Sequence, residues 1–292
     1  MVESPQRPKR LQHVFVVRRT ERLTPHLVRV HLGGDAFDTF IAGADPDRLA
    51  ATDRYVKLLV AREELGLTPP YDLDALKDAL PKSDRPVRRT YTVRSIDHAS
   101  ATIAIDFVVH GDQGVAGPWA AAAEPGDLLA LSGPGGTYAP SADPETEHLL
   151  LGDDSAIPAI ASALEAMSDD ARGRALVEVD GPADELDLDH PAGVALTWLH
   201  RSVADPAGGT VAQPGSLLLA ATAGLERPSR PDRVAVFAHG ERAAMKAIRR
   251  FLQDGWGIEK RAMSLSAYWA LGRAEDRFQA EKREPIGALF DE

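Results

Sequence analysis

The chain has 292 residues, 44% of them apolar, which is enough for two ordinary domains with buried cores. A net charge of −11 excludes a general binder of nucleic acid or of anionic membranes, although a local basic patch can still hold an anionic small molecule. Without cysteine there can be no disulfide, cysteine-ligated iron–sulfur cluster or thiolate zinc site, and the nine histidines show no ligand spacing on one helical turn.

The opening MVESPQRPKR is polar and carries two prolines, so it is not a secretory segment. No run of about 18 apolar residues exists to cross a membrane, and the expected location is the cytoplasm. Six strands follow: LQHVFVVRR (11–19), LVRVHL (27–32), YVKLLVA (55–61), RTYTVRSI (89–96), TIAIDFVVH (102–110) and DLLALSG (127–133). Turn residues between them predict a small antiparallel six-stranded β-barrel. Residues 62–87, rich in proline and charge, read as a long excursion from it.

The rhythm then changes. HLLLG (148–152) is a short apolar strand, and SAIPAIASALEAM (155–167) has helical spacing. ALVEVDG (175–181), VALTWLH (194–200) and RVAVFAHG (233–240) read as strands. GSLLLAATAG (215–224) and ERAAMKAIRRFLQDG (241–255) read as helices, and MSLSAYWALG (263–272) closes the series. Strands alternating with helices predict a parallel α/β sheet. APSADPETE (139–147) is a linker, so the expected domains are 1–143, a barrel, and 144–292, an α/β domain.

Three stretches carry chemistry. In Arg89-Thr90-Tyr91-Thr92, strand alternation sends Arg89 and Tyr91 to one face and the threonines to the other. A guanidinium suits a phosphate because it donates two parallel hydrogen bonds. Lys82, Arg85, Arg88, Arg89 and Arg94 form a cationic island in an acidic chain, either a solvated loop or a pyrophosphate site. In HGDQGVAGPWAAAAEPGD (110–127), Gly117 fits a helix N-cap and Pro118 the first helical position, with free N–H groups for a phosphate. A plain strand–turn–helix connection reads equally well. In LLLGDDSAIPAI (149–160), a strand turns through glycine into a helix, a usual nucleotide position. The G-x-G-x-x-G fingerprint is absent, and Asp153 and Asp154 would cap the helix and repel a phosphate placed there.

RTYTVR, HGDQGVAGPWA with the later PGD and GPGG, GDDSAIPAI, HGE (239–241) and AYWALG (267–272) occur in this order. Together, from about residue 11 to 283, they resemble the siderophore-interacting proteins, or ferric-siderophore reductases, of the ferredoxin-reductase superfamily. The resemblance implies FAD in the barrel and a nicotinamide cofactor in the α/β domain, whose C-terminal segment returns to the flavin. It assigns FAD contacts to Arg89, Tyr91, Thr92, Val108, His110, Gly114, Val115, Ala116, Gly117, Tyr268 and Trp269. NAD(P)H contacts fall on Gly152, Asp154, Ser155, Ala156, Gly240 and Glu241, and Lys57 is a substrate contact. Two departures stand out. The family's Pro-Ala-Ser is Val115-Ala116-Gly117, which removes a phosphate-binding hydroxyl, and an arginine after Tyr-Trp is replaced by Ala270-Leu271.

The expected function is hydride transfer from NAD(P)H to FAD, then single-electron delivery to Fe(III) in a siderophore. Thr92 is expected to tune the flavin and Arg89 to anchor its phosphates, with no resident metal. The acidic DGPADELDLD after strand 175–181 leans towards NADH over NADPH. Two alternatives stay open: a flavin-free module that sequesters a ligand, and a flavoprotein that exchanges electrons with a ferredoxin.

Overall fold

A computed structural model describes residues 11–111, 114–203 and 211–290. The first half is a closed barrel of β1 (His13–Thr24), β2 (Leu27–Gly33), β3 (Tyr55–Val60), β4 (Val87–Asp97), β5 (Thr102–Val108) and β6 (Leu128–Gly135), in the order β1-β2-β5-β4-β3-β6. All neighbouring pairs are antiparallel. Alternation is the cause: Phe15, Val30, Leu58 and Ile105 point inward and are fully buried.

One seam of this barrel is only half closed. β4 pairs with β5 from Val93↔Ile105 to Asp97↔Thr102. Before Val93, β4 keeps only its pairing to β3, and beyond Ile105, β5 keeps only its pairing to β2. The two strands therefore part at the end that carries Arg89, Tyr91 and Thr92.

Four short helices decorate this half: α1 (Ala36–Ala42), α2 (Pro46–Ala50), α3 (Leu73–Ala79) and α4 (Ala116–Ala122). The first three were not read from the sequence, since five to seven residues are too few to show a helical period. α3 lies inside the 62–87 excursion, which is thus partly ordered. α4 starts earlier than expected. Val115 occupies the N-cap, so Gly117 is the second helical residue and Pro118 the third. Gly117 is needed there because a Cβ would stand 3.1 Å from the Val108 carbonyl oxygen.

The second half is a five-stranded parallel sheet, β11-β10-β7-β8-β9, built from β7 (Glu147–Asp153), β8 (Arg172–Val179), β9 (Val194–His200), β10 (Val234–Glu241) and β11 (Met263–Trp269). α5 (Ile157–Glu165) packs on the face turned to the barrel, while α6 (Ser216–Ala223) and α7 (Arg242–Arg250) cover the other. α8 (Glu275–Glu281) follows β11 and was not foreseen. The chain runs from β7 outward through β8 to β9, then returns to the other side of β7 as β10. The order thus reverses between β7 and β10, a topological switch point whose carboxyl edge is the usual ligand crevice of such sheets.

The two halves share a packed boundary. Leu27 of the barrel sits in one apolar cluster with Ile157 and Ile160 of α5. Ser162 donates to the Arg94 carbonyl at 2.9 Å, and Arg94 also pairs with Glu165. His26 Nδ1 lies 3.0 Å from both Asp184 carboxylate oxygens, and the His26 N–H donates to the same group. No helix among the described residues is long and apolar enough to cross a membrane.

Candidate functional site

The opened seam holds an aromatic row. The Tyr91 ring lies 4.5 Å from Phe107, and Phe107 lies 5.7 Å from Trp119 of α4. Burial pushes the Tyr91 phenol up, with Glu275 adding to the effect. Cross-strand register puts Arg89 opposite Leu58 and Tyr91 opposite Val56, so both turn towards the barrel interior and the seam. Arg89 Nη1 donates to Asp276 of α8 at 2.9 Å. A carboxylate is thus what this guanidinium grips, and α4 reaches the strand through the aromatic row.

The outer face of the same ladder carries Tyr55, Lys57, Thr90 and Thr92, with Thr92 opposite Tyr55 and Thr90 opposite Lys57. Lys57 donates to Thr90 Oγ1 and stands 4.9 Å over the Tyr55 ring. Thr92 is buried and acts on the Tyr268 phenol, which comes from β11 of the other half. Burial pushes the Tyr268 phenol up as well. Its ring meets His239 edge-on at 4.9 Å, and His239 stacks on Phe237 at 3.9 Å, its imidazole lowered by burial to about 3.

Tyr268 and Trp269 do not continue a regular pairing. Gly240 is opposite Ala267 and Glu241 is opposite Trp269, so Tyr268 is the extra residue of a β-bulge. A bulge re-aims side chains. Here Tyr268 goes to Thr92, while Trp269 Nε1 donates to Asp153 Oδ2 at 2.8 Å.

Asp153 ends β7 at the switch point. Its Oδ1 accepts from the Ser155 N–H at 3.0 Å and from Ser155 Oγ at 2.5 Å. Its Oδ2 accepts from the Glu241 N–H at 2.8 Å as well as from Trp269. Desolvation raises its carboxyl to about 6 against these hydrogen bonds. Glu241 is a helix cap: Oε2 accepts from the Ala244 N–H at 2.9 Å and Oε1 from the Leu271 N–H at 3.1 Å. Asp154 is drawn away from the turn by Arg201, at 2.7 Å, and burial still pushes its carboxyl up. Arg201 itself is buried, with Glu178 as a second partner at 3.5 Å.

The sequence-predicted residues therefore gather in two places. Arg89, Tyr91, Val108, Val115, Ala116 and Gly117 surround the seam, with Thr92 and Lys57 on the outer side of the same strands. Gly152, Ser155, Ala156, Gly240, Glu241 and Trp269 gather around Asp153. Tyr268 joins the two places. His110 and Gly114 follow β5; the His110 ring lies 5.9 Å from His26, and desolvation, His26 and Arg201 lower its imidazole. Residues 112 and 113 of that loop lie outside the described residues.

Reading the sequence missed Asp153 as anything but a cap, and missed Asp276 and Arg201 altogether. No local pattern marks a partner that lies 187 residues away, as Asp276 does from Arg89. The search for histidines on one helical turn also passed over His26, Asp180 and Asp184, whose ligand atoms lie within 4.8 Å of one another on separate loops.

The chemistry of the donor set fits FAD. A guanidinium that already holds an oxyanion, the first turn of α4 and an aromatic row lie at one opened seam, next to a buried threonine. Comparison with known proteins agrees. Residues 16–138 match the siderophore-interacting FAD-binding domain, and residues 145–272 match the siderophore-interacting protein family. An uncharacterised protein of Mycobacterium tuberculosis is 44% identical over 283 residues, covering 93% of this chain and 95% of that one. The ferric vibriobactin reductase of Vibrio cholerae is 36% identical over 206 residues, covering 70% of this chain and 73% of its own. The crystal structure of a siderophore utilization protein from T. fusca superposes with a TM-score of 0.72 at 37% identity, over 90% of this chain and 94% of that one. The barrel with its split seam, the switch-point sheet and these likenesses place the chain in the siderophore-interacting protein family.

Proposed function

We propose that this protein is an FAD-dependent NAD(P)H oxidoreductase that reduces ferric siderophores. The observation that carries the reading is the meeting of Thr92 with the Tyr268 phenol, which joins the barrel seam to the switch point of the sheet. A flavin site and a nicotinamide site must meet for a hydride to pass, and this contact lies where the seam and the switch point come together.

Bound FAD supplies the step from two-electron to one-electron chemistry, taking a hydride from the nicotinamide and delivering electrons singly to Fe(III). Arg89 would hold the diphosphate in place of Asp276. Tyr91, Phe107 and Trp119 exclude water from the seam. Thr92, buried beside Tyr268, would be the residue next to the flavin ring. Lys57 lies on the outer face with Thr92, where an anionic ferric siderophore would meet it. One hydride reduces two ferric centres, and Fe(II), the less charged ion, is held less tightly by hard oxygen chelators.

NADH is favoured over NADPH. Arg201, the buried cation after β9, is committed to Asp154 and Glu178, and Asp180, Asp184 and Glu185 line the turn after β8. A 2′-phosphate there would face carboxylates. Anaerobic mixing of the FAD-loaded protein with NADH or NADPH tests the donor by loss of the flavin absorbance near 450 nm. Adding a ferric siderophore should restore the absorbance, and a flavin that stays reduced in its presence refutes the function.

A further inference from the structure

Asp153 is more than a turn cap. It stands at the switch point between β7 and β10, 2% exposed, with both oxygens doubly engaged by donors from three segments. Two donors come from Ser155 just after β7, one from the Glu241 backbone at the end of β10, and one from the Trp269 indole at the end of β11. Gly240 fits against the same carboxylate: a Cβ at that position would lie 2.6 Å from Asp153 Oδ2. The bulge at Tyr268 brings Trp269 opposite Glu241 and so within reach of Asp153. The indole is half-buried, with its N–H edge fixed by the hydrogen bond to Asp153.

A structural acid needs none of this. Ser155 alone would satisfy a turn cap at much lower desolvation cost. Burying a carboxylate so that it ties an aromatic ring and the backbone of a neighbouring strand to one point is the arrangement that fixes a surface for a ligand.

We propose that Asp153 is a positioning residue for hydride transfer, holding the Trp269 indole and the Gly240–Glu241 backbone as the wall against which the nicotinamide ring is laid. The assignment rests on the proposed nicotinamide donor. It adds to that reading a residue that touches neither flavin nor nicotinamide and acts through Trp269.

The groups that face Asp153 from its neighbours are Asp154 after β7, Glu241 on β10, Tyr268 on β11 and Arg201 after β9. Asp154 opposes its ionisation and Arg201 favours it. When Asp153 takes up a proton near pH 6, Ser155 Oγ can turn from donor to acceptor, and the hydrogen bond from Trp269 weakens because its acceptor is no longer charged.

The test uses FAD-loaded wild type, Asp153→Asn and Trp269→Phe. Near-UV circular dichroism of the wild type should show a tryptophan transition centred near pH 6, absent from both variants. Stopped-flow flavin reduction by NADH at pH 7.5 should slow about tenfold to a hundredfold in both, because a misplaced ring loses orientation rather than affinity for FAD. In Asp153→Asn, where no assigned FAD contact is replaced, the FAD dissociation constant should stay at the wild-type value. Combining the two substitutions should add little to either alone. A wild-type reduction rate in Trp269→Phe overturns the proposal whatever Asp153→Asn does, and it decides the matter if Asp153→Asn fails to fold. If neither nicotinamide reduces the wild-type flavin, the donor reading falls by itself. The circular dichroism then judges Asp153: without the transition in the wild type the assignment is lost, and with it Asp153 stands as the residue that sets this wall.

Discussion

Arg89 is claimed by an anion from its own chain, and this sets up an experiment with opposite signs at its two ends. Asp276 bonds Arg89 at 2.9 Å, with side-chain exposures of 63% and 15%. A pair so open on one side contributes about 0.2–1 kcal/mol. With Arg89 as the proposed anchor, FAD would displace Asp276, so Asp276→Ala should tighten FAD binding by about 1.5-fold to 5-fold. Arg89→Ala removes hydrogen bonds from a charged donor to the diphosphate, about 1.5–3 kcal/mol, and should weaken binding by about 10-fold to 150-fold. In the Arg89→Ala background, Asp276→Ala should change nothing, because its partner is already gone. Quenching of flavin fluorescence on titration into apoprotein measures all four constants. Weaker FAD binding by Asp276→Ala, or wild-type affinity in Arg89→Ala, would show that the seam is not where the diphosphate lies.

Other outcomes follow from the same contacts. Tyr268→Phe deletes the hydroxyl that Thr92 meets and should lower unfolding stability by about 0.5–1.5 kcal/mol by denaturant titration. Gly240→Ala drives a Cβ against Asp153 and should cost about 1–3 kcal/mol by the same assay, with loss of the Trp269 circular dichroism signal. Asp153 has a folded value of about 6, above its ordinary 3.8, so its stabilising share is full below pH 3.8 and lost as pH rises through 6. Relative to Asp153→Asn, the wild type should therefore be about 1 kcal/mol more stable at pH 5 than at pH 7. Glu281 behaves in the opposite sense: hydrogen bonds from Arg242, Arg277 and Arg273 hold it at about 2, below its ordinary 4.5, so its contribution is present above pH 4.5 and lost as pH falls through 2. Glu281→Gln should imitate that loss at pH 7, and limited proteolysis should then cut near α8 faster than in the wild type.

How much of this was legible depends on the range of the signal. All six barrel strands and four of the five strands of the sheet were readable, because strand alternation and short apolar runs are local patterns, whereas 263–272 was left without an element type. The helices of 5–7 residues were mostly not, and α4 was displaced by two positions. The sequence there favours a glycine cap, whereas the close approach of the helix to Val108 decides where Gly117 must lie. At the site, the residue types were readable and their partners were not. Arg89 looked like a phosphate anchor but gave no hint of Asp276. Asp154 looked like a nucleotide contact, yet Arg201, from the end of β9, draws it aside.

The adjacent aromatic residues Tyr268 and Trp269 show why pairing outweighs pattern at the meeting of the two halves. On an unbroken strand they would face opposite sides, and Tyr268 would stand opposite Glu241. The bulge makes Tyr268 the extra residue and moves Trp269 into that place. One residue of slip therefore gives the barrel its contact with Thr92 and gives Asp153 its indole donor at once. No residue type in AYWALG announces the slip. It follows from Gly240, whose missing side chain lets β10 close on Asp153 while β11 carries one residue more. The chemistry of the cleft thus depends on a backbone irregularity, and substitutions that restore regular pairing there should disturb the flavin side and the nicotinamide side together.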